Sequence, residues 1–181
     1  PAATRVHGIT NDDVRDCRPC GDVLSAWFAF LHACASRHRQ ATSQQRVSLV
    51  LTGHNSRVFD DLMLVAQLAR THCRLADVPD LLPATALQVA DTLVAARALR
   101  RAGGLPLPSL RLAALYEHFC GAPLVGAHSA LVDAQAVGSI LPALREHCRP
   151  EPWDSIAIVA LDKRIENRVA HGASATAAAL Q

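Results

Sequence analysis

Apolar residues along this chain recur at two different spacings, and the switching between them predicts alternating helices and strands. From Asp22 to Arg39, Val23, Trp27, Phe30, Leu31 and Cys34 return every three or four positions, as on a helix with one apolar face. Val47 to Thr52 is a short, mostly apolar run and reads as a buried strand. Val58, Leu62, Val65 and Ala69 mark a second amphipathic helix between Arg57 and His72. Leu87 to Ala90 reads as a strand that delivers Asp91 at its end. Thr92 to Arg101 follows as a helix, and Gly103 and Gly104 stop it. Ser109 is placed to cap a helix from Leu110 to Cys120, with Leu112, Leu115, Tyr116 and Phe119 as its face and Gly121 at its end. The last long helix is expected from Ser129 to His147, with Ala130, Ala134, Val137, Leu141 and Leu144 along one side. Gly138 and Pro142, one turn apart, predict a kink there.

The intervening segments carry turn signals. Residues 1–20 read as loop, with Asn11, Asp12 and Asp13 available as helix caps and a turn around Pro19. Gln40 to Arg46 is a polar connector, and residues 73–86 are irregular around Pro79 and Pro83. Ile156 to Leu161 is too short for periodicity to separate strand from helix. Residues 170–181 are an Ala-rich tail. No internal repeat is visible. Strands alternating with amphipathic helices point to the α/β class.

Composition narrows the function classes. At 181 residues, half of them apolar, the chain suits one domain with a sizeable core and not a disordered segment. No apolar run reaches the roughly 18 residues that a bilayer requires, and no secretion signal is visible. Six scattered cysteines, mostly within apolar patterns, read as reduced thiols of an intracellular protein. The net charge of +2 is too small to demand a nucleic-acid partner. The positive side is nearly all arginine, with Lys163 the single lysine. Arginine suits bidentate phosphate contacts, although gene composition gives the same bias. Arg97, Arg100 and Arg101 could guide a strand by its phosphates, or simply complement a helix end. Trp27 and Trp153 are candidate stacking platforms, with Trp27 fitting a core face better.

Chemistry concentrates in two helix starts. Gly53-His54-Asn55-Ser56-Arg57-Val58-Phe59-Asp60 joins a strand to a helix and places Asp60 in the first turn. His128-Ser129-Ala130-Leu131-Val132-Asp133 places a second Asp in the same way and adds a histidine. An Asp at a helix start commonly does no more than cap free N–H groups and complement the helix dipole. The joint pattern suggests a shared site. Separately, Cys17, Cys20, Cys34 and His38 have a loose zinc-like spacing, for which the plain alternative is one packed and two loop thiols.

Asn55-x-x-x-Phe59-Asp60, preceded by His54, resembles the second motif of the DEDDh (DnaQ-like) 3′–5′ exonucleases, and His128-x-x-x-x-Asp133 resembles their third. Asp91-Thr92-Leu93 resembles a strand-to-helix junction of the same family, and His7-Gly8-Ile9-Thr10 the segment that follows its first strands. The helix opened by Ser109-Leu110 and ended by Cys120-Gly121 also fits, so the resemblance covers roughly residues 6–147 in the family's order and is closest to the three-prime repair exonucleases. The resemblance implies a ribonuclease H-like fold, a mixed sheet flanked by helices, over residues 1–150, with 151–181 as an extension. It also implies a two-metal phosphodiesterase using Mg²⁺ or Mn²⁺, with Asp60 and Asp133 as metal ligands. His128 would be the general base, and His54 and Asn55 would shape the nucleotide pocket. The partners would be DNA or RNA 3′ ends and no membrane, with a homodimer or larger assembly open.

The chain departs from the family at one point. The first motif, Asp-x-Glu on the first strand, is not present, and with it two of four carboxylates and the first strands are missing. Three accounts remain open. An upstream segment or another chain supplies them; or the protein is a relative without catalysis, serving as a nucleic-acid-binding or scaffold module; or Ile156 to Asp162 replaces the absent strand.

Overall fold

A computed structural model of the protein describes residues 2–43, 47–71, 87–148 and 158–160. Within these residues the chain is mixed α/β, as the alternation predicts. In order the elements are α1 (Ala2–His7), α2 (Cys20–Thr42), β1 (Leu49–Gly53), α3 (Asp60–Arg70), β2 (Leu87–Asp91), α4 (Thr92–Arg101), α5 (Leu112–Cys120), α6 (Ala130–His147) and β3 (Ile158–Ala160). They fall into two compact units. One comprises Pro1–Pro19, Thr52–Asp60 and Asp91–Ala157; the other comprises Cys20–Leu51, Asp61–Ala90 and Ile158–Gln181. Because β1 and β2 each pass from the second unit into the first, both deliver their C-terminal residues to the same unit.

The second unit is built on the sheet, in the order β1-β2-β3. β3 runs antiparallel to β2, with Val89 opposite Val159. The undecided segment around Ile158 is therefore a strand. Leu24, Phe28, Leu31, Leu68 and Val89 form the core of this unit, with Trp27, Leu49, Leu51, Leu64 and Val65 packed against it. The buried face of α2 is thus Leu24, Phe28, Leu31 and Ala35, which shares only Leu31 with the stripe expected from the sequence. Val23 and Phe30 face outward instead. The reason lies in the sequence itself: two adjacent stripes have the same three-and-four spacing, and only packing against β2 and α3 decides between them. Trp27 sits at the border, its ring 5.1 Å from that of Phe28. β1 is half-buried rather than buried throughout, with Val50 exposed.

The first unit centres on α6, which packs against α4 and α5. Ala95, Ala96, Leu99, Leu105, Leu110, Leu115, Ala136, Val137, Ile140 and Leu144 are buried there. The face of α6 is shifted from the expected one: Ala130 and Ala134 are exposed, and Ala136 and Ile140 take their place. The chain remains helical through Pro142. The carbonyl that a proline ring crowds in a helix is that of the residue four positions earlier, here Gly138. α4 has the predicted bounds. It ends where Gly103 adopts φ 74° and the amides of Gly103 and Gly104 return to the carbonyls of Arg100 and Leu99. α5 begins two residues later than expected, because Ser109 accepts from the Arg111 amide and so caps a turn ahead of the helix. Gly121 closes it in the left-handed region.

Near the start of the chain, Ala2–His7 is helical, not loop. Thr10 then donates through both its amide and its hydroxyl to Asp13, which holds that carboxyl below its ordinary range. The helix α3 starts at Asp60, and the residues from Ser56 to Phe59 form a turn, so Val58 and Phe59 are exposed and not part of a helical face. Among the described residues no helix is long and apolar enough to cross a membrane. Residues 73–86, Trp153, Asp162 and the Ala-rich 170–181 lie outside the described residues, as does residue 151–181 apart from Ile158–Ala160.

Candidate functional site

Every residue of the two exonuclease-like motifs falls in the first unit. β1 ends at Gly53, and the chain doubles back immediately. A Cβ at Gly53 would lie 2.7 Å from the Cβ of buried Ser56, so only glycine fits this turn. Asn55 takes φ 61°, a left-handed conformation that asparagine tolerates better than most residues. Two local hydrogen bonds, from the Val58 amide to the Asn55 carbonyl and from the Phe59 amide to the Ser56 carbonyl, carry the chain to Asp60.

Asp91 lies at the end of β2 and is 2% exposed. Its Oδ1 accepts from the amides of Asn55 at 2.8 Å and Leu93 at 2.9 Å, and its Oδ2 accepts from the amide of Arg57 at 3.2 Å. A carboxylate is costly to bury unless hydrogen bonds replace its water, and three amides do so here. The next residue, Thr92, is fully buried. Its hydroxyl lies 3.1 Å from the Gly53 carbonyl and 2.9 Å from Nδ1 of His54. The sequence marks Asp91 as a strand end and, with Thr92 and Leu93, as a strand-to-helix junction, but not as the carboxylate that holds the turn. The signal that could have found it is an Asp-Thr pair directly between a strand and a helix, where a short polar side chain has many amides within reach.

His54 is half-buried, and burial pushes its imidazole below the ordinary value of 6.5. The fields of Asp91 and Asp133 and a hydrogen bond with the Leu110 backbone oppose this shift, while Arg97 adds to it. His54 therefore resists taking a proton in the folded chain. In the unfolded chain the ring is protonated as pH falls through about 6.5. Below that point the unfolded state binds more protons, so stability declines with falling pH until the folded ring also titrates. Urea unfolding between pH 7.5 and 5 should show this decline, and His54→Gln should flatten it. An equal slope in the His54→Gln variant would assign the pH dependence to another group.

On the second motif, His128 is exposed and adopts φ 74°. Asp133, in the first turn of α6, accepts the His128 amide on Oδ1 at 3.3 Å, and its own amide donates to the Ser129 carbonyl at 2.9 Å. The loop is thereby tied to the helix through its backbone, and the imidazole of His128 stays in the open. Asp60 is exposed at the start of α3. The structure thus ties the amides of Asn55 and Arg57 to Asp91, and the amide of His128 to Asp133, by hydrogen bonds.

Two metal-ligand sets were expected. Among the described residues, no three His, Cys, Asp or Glu side chains gather where they could hold a metal ion. Within the second unit, Cys20, Cys34 and His38 of the zinc-like set therefore do not gather. Cys20 lies 3.5 Å from Oε1 of Gln67, and Cys34 receives Arg37 at 3.4 Å. Asp60 and Asp133 likewise gain no third ligand from the described residues, and by themselves these two carboxylates do not fit a two-metal centre. No protein-family model matches the chain, and no curated protein does.

Proposed function

We propose that this chain is a metal-dependent 3′–5′ exonuclease of the DEDDh kind, acting on DNA or RNA 3′ ends with Mg²⁺ or Mn²⁺. The observation that carries the reading is the geometry of the two motifs, which belong to the same compact unit: the strand-to-turn motif delivers Asp60 at a helix start, and in the loop-and-helix motif Asp133 accepts the His128 amide at 3.3 Å. In this reading Asp60 and Asp133 would supply two ligands of the cation site, and the others would come from beyond the described residues. The exposed imidazole of His128 accepts the proton of the attacking water. Water oxygen bonds to phosphorus, the bond to the 3′ oxygen breaks, and that oxygen takes a proton from solvent. A nucleoside 5′-monophosphate leaves. Asn55, exposed at the turn, contacts the terminal nucleotide, while the ring of His54 is engaged with Thr92 and the Leu110 backbone and shapes the pocket wall.

A second reading, a nucleic-acid-binding or scaffold module without catalysis, is favoured by one observation: the described residues bring no third ligand to Asp60 and Asp133. One experiment separates the two. With Mn²⁺, 5′-labelled single-stranded DNA and RNA are expected to shorten stepwise from the 3′ end, and Asp133→Asn should abolish the shortening. If neither substrate shortens and calorimetry detects no Mn²⁺ binding, the exonuclease reading is lost. Oligonucleotide binding that persists without hydrolysis selects the second reading.

A further inference from the structure

We infer that Asp91 and Thr92 act together as a clamp that fixes the Gly53–Asp60 turn and so positions Asn55 and His54 for the terminal nucleotide; the functional half of this inference rests on the exonuclease reading. Two consecutive side chains grip four residues of the turn. The Asp91 carboxylate holds the amides of Asn55 and Arg57, and the Thr92 hydroxyl reaches the Gly53 carbonyl and the ring of His54.

Helix capping alone does not account for this. As the cap of α4, Asp91 needs only the Leu93 amide. The other two amides come from residues 36 and 34 positions upstream. Within the turn the amides of Val58 and Phe59 donate to the carbonyls of Asn55 and Ser56, while the amides of Asn55 and Arg57 donate to Asp91. Asn55 also holds a left-handed φ that a side chain adopts at a cost, and such conformations persist where the surroundings over-determine them. Asp91 is therefore a positioning residue: it acts on the nucleotide through the backbone it holds.

The test uses the full chain with Mn²⁺ and a single-stranded DNA oligomer. Asp91→Asn places an NH₂ against one of the amides, which turns an acceptor into an opposing donor. KM is expected to rise about ten-fold, the lower end of what loss of a supporting contact costs, with kcat changed far less. A merely destabilised enzyme would instead lose kcat at unchanged KM, because fewer molecules are active. Thr92→Val should raise KM in the same direction, and Thr92→Ser, which keeps the hydroxyl, should restore it. Hydrogen exchange supplies a second readout. The amides of Asn55 and Arg57 should exchange faster in Asp91→Asn, while those within α6 keep their protection. Unchanged KM together with unchanged exchange at Asn55 and Arg57 overturns the clamp. Should Asp91→Asn fail to fold, the Thr92→Val and Thr92→Ser pair decides, and equal KM for the two overturns it. If the wild-type chain hydrolyses nothing, the exonuclease reading fails and takes the nucleotide-positioning role with it. Faster exchange at the two amides in Asp91→Asn would then still uphold the clamp on the turn.

Discussion

Phe28→Ala is expected to cost about 3–5 kcal/mol of folding stability, the range for truncating a fully buried aromatic ring. Phe28 is 1% exposed and lies among Leu24, Leu31, Leu68 and Val89, which come from two helices and the central strand. Removing the ring takes away its transfer energy and leaves a cavity whose walls belong to three elements and cannot all collapse inward. A domain has about 5–15 kcal/mol in total, so the substitution takes a large share. Phe30 provides the control. It sits two residues away on the same helix and is 57% exposed, so Phe30→Ala should stay within about 0.5 kcal/mol. Urea unfolding followed by far-UV circular dichroism measures both. Equal losses for the two variants would mean that the buried face of α2 has been assigned to the wrong stripe.

That pair also shows how far the sequence could be read. The existence of α2 was legible, since apolar residues at helical spacing run its full length. Which stripe faces inward was not. Val23, Trp27, Phe30, Leu31 and Cys34 form the expected stripe, which overlaps the buried one of Leu24, Phe28, Leu31 and Ala35 at Leu31, and spacing cannot rank them. α6 shows the same ambiguity, because Ala134 and Ala136 are equally apolar and only contact with α4 and α5 chooses Ala136. α4 was read to its bounds because strong local signals, a buried strand before it and two glycines after it, leave little for tertiary structure to decide. α1 was missed because six residues give too short a pattern to recognise.

For the candidate site, legibility followed the range of the interactions. Gly53, Asn55, Asp60, His128 and Asp133 stand out from local pattern alone. The tie between the His128 amide and Asp133 spans five residues and is consistent with a helix start. The grip of Asp91 on the turn spans more than thirty residues and depends on two strands ending side by side, which no local pattern records. The same limit applies to the carboxylates. Spacing can nominate Asp60 and Asp133, but whether further ligands reach them is a property of the assembled fold.

If the chain is the exonuclease proposed, His128→Asn is expected to lower the rate of 3′-end hydrolysis by about 10²–10⁴-fold, the usual contribution of a positioned general base. The geometry makes this substitution unusually clean. Asp133 holds His128 by its backbone amide, so the clasp does not depend on the imidazole. The residue also sits at φ 74°, where asparagine is among the better-tolerated side chains. Asn therefore keeps the loop in place and removes only the imidazole. The split between KM and kcat separates loss of the base from loss of the loop. If the ring is the base, kcat falls while KM for a single-stranded oligomer stays near the wild-type value. If His128 only props the loop, KM rises. A rate within a few-fold of wild type would remove His128 from the chemistry, and the proton would have to pass to another group or directly to solvent.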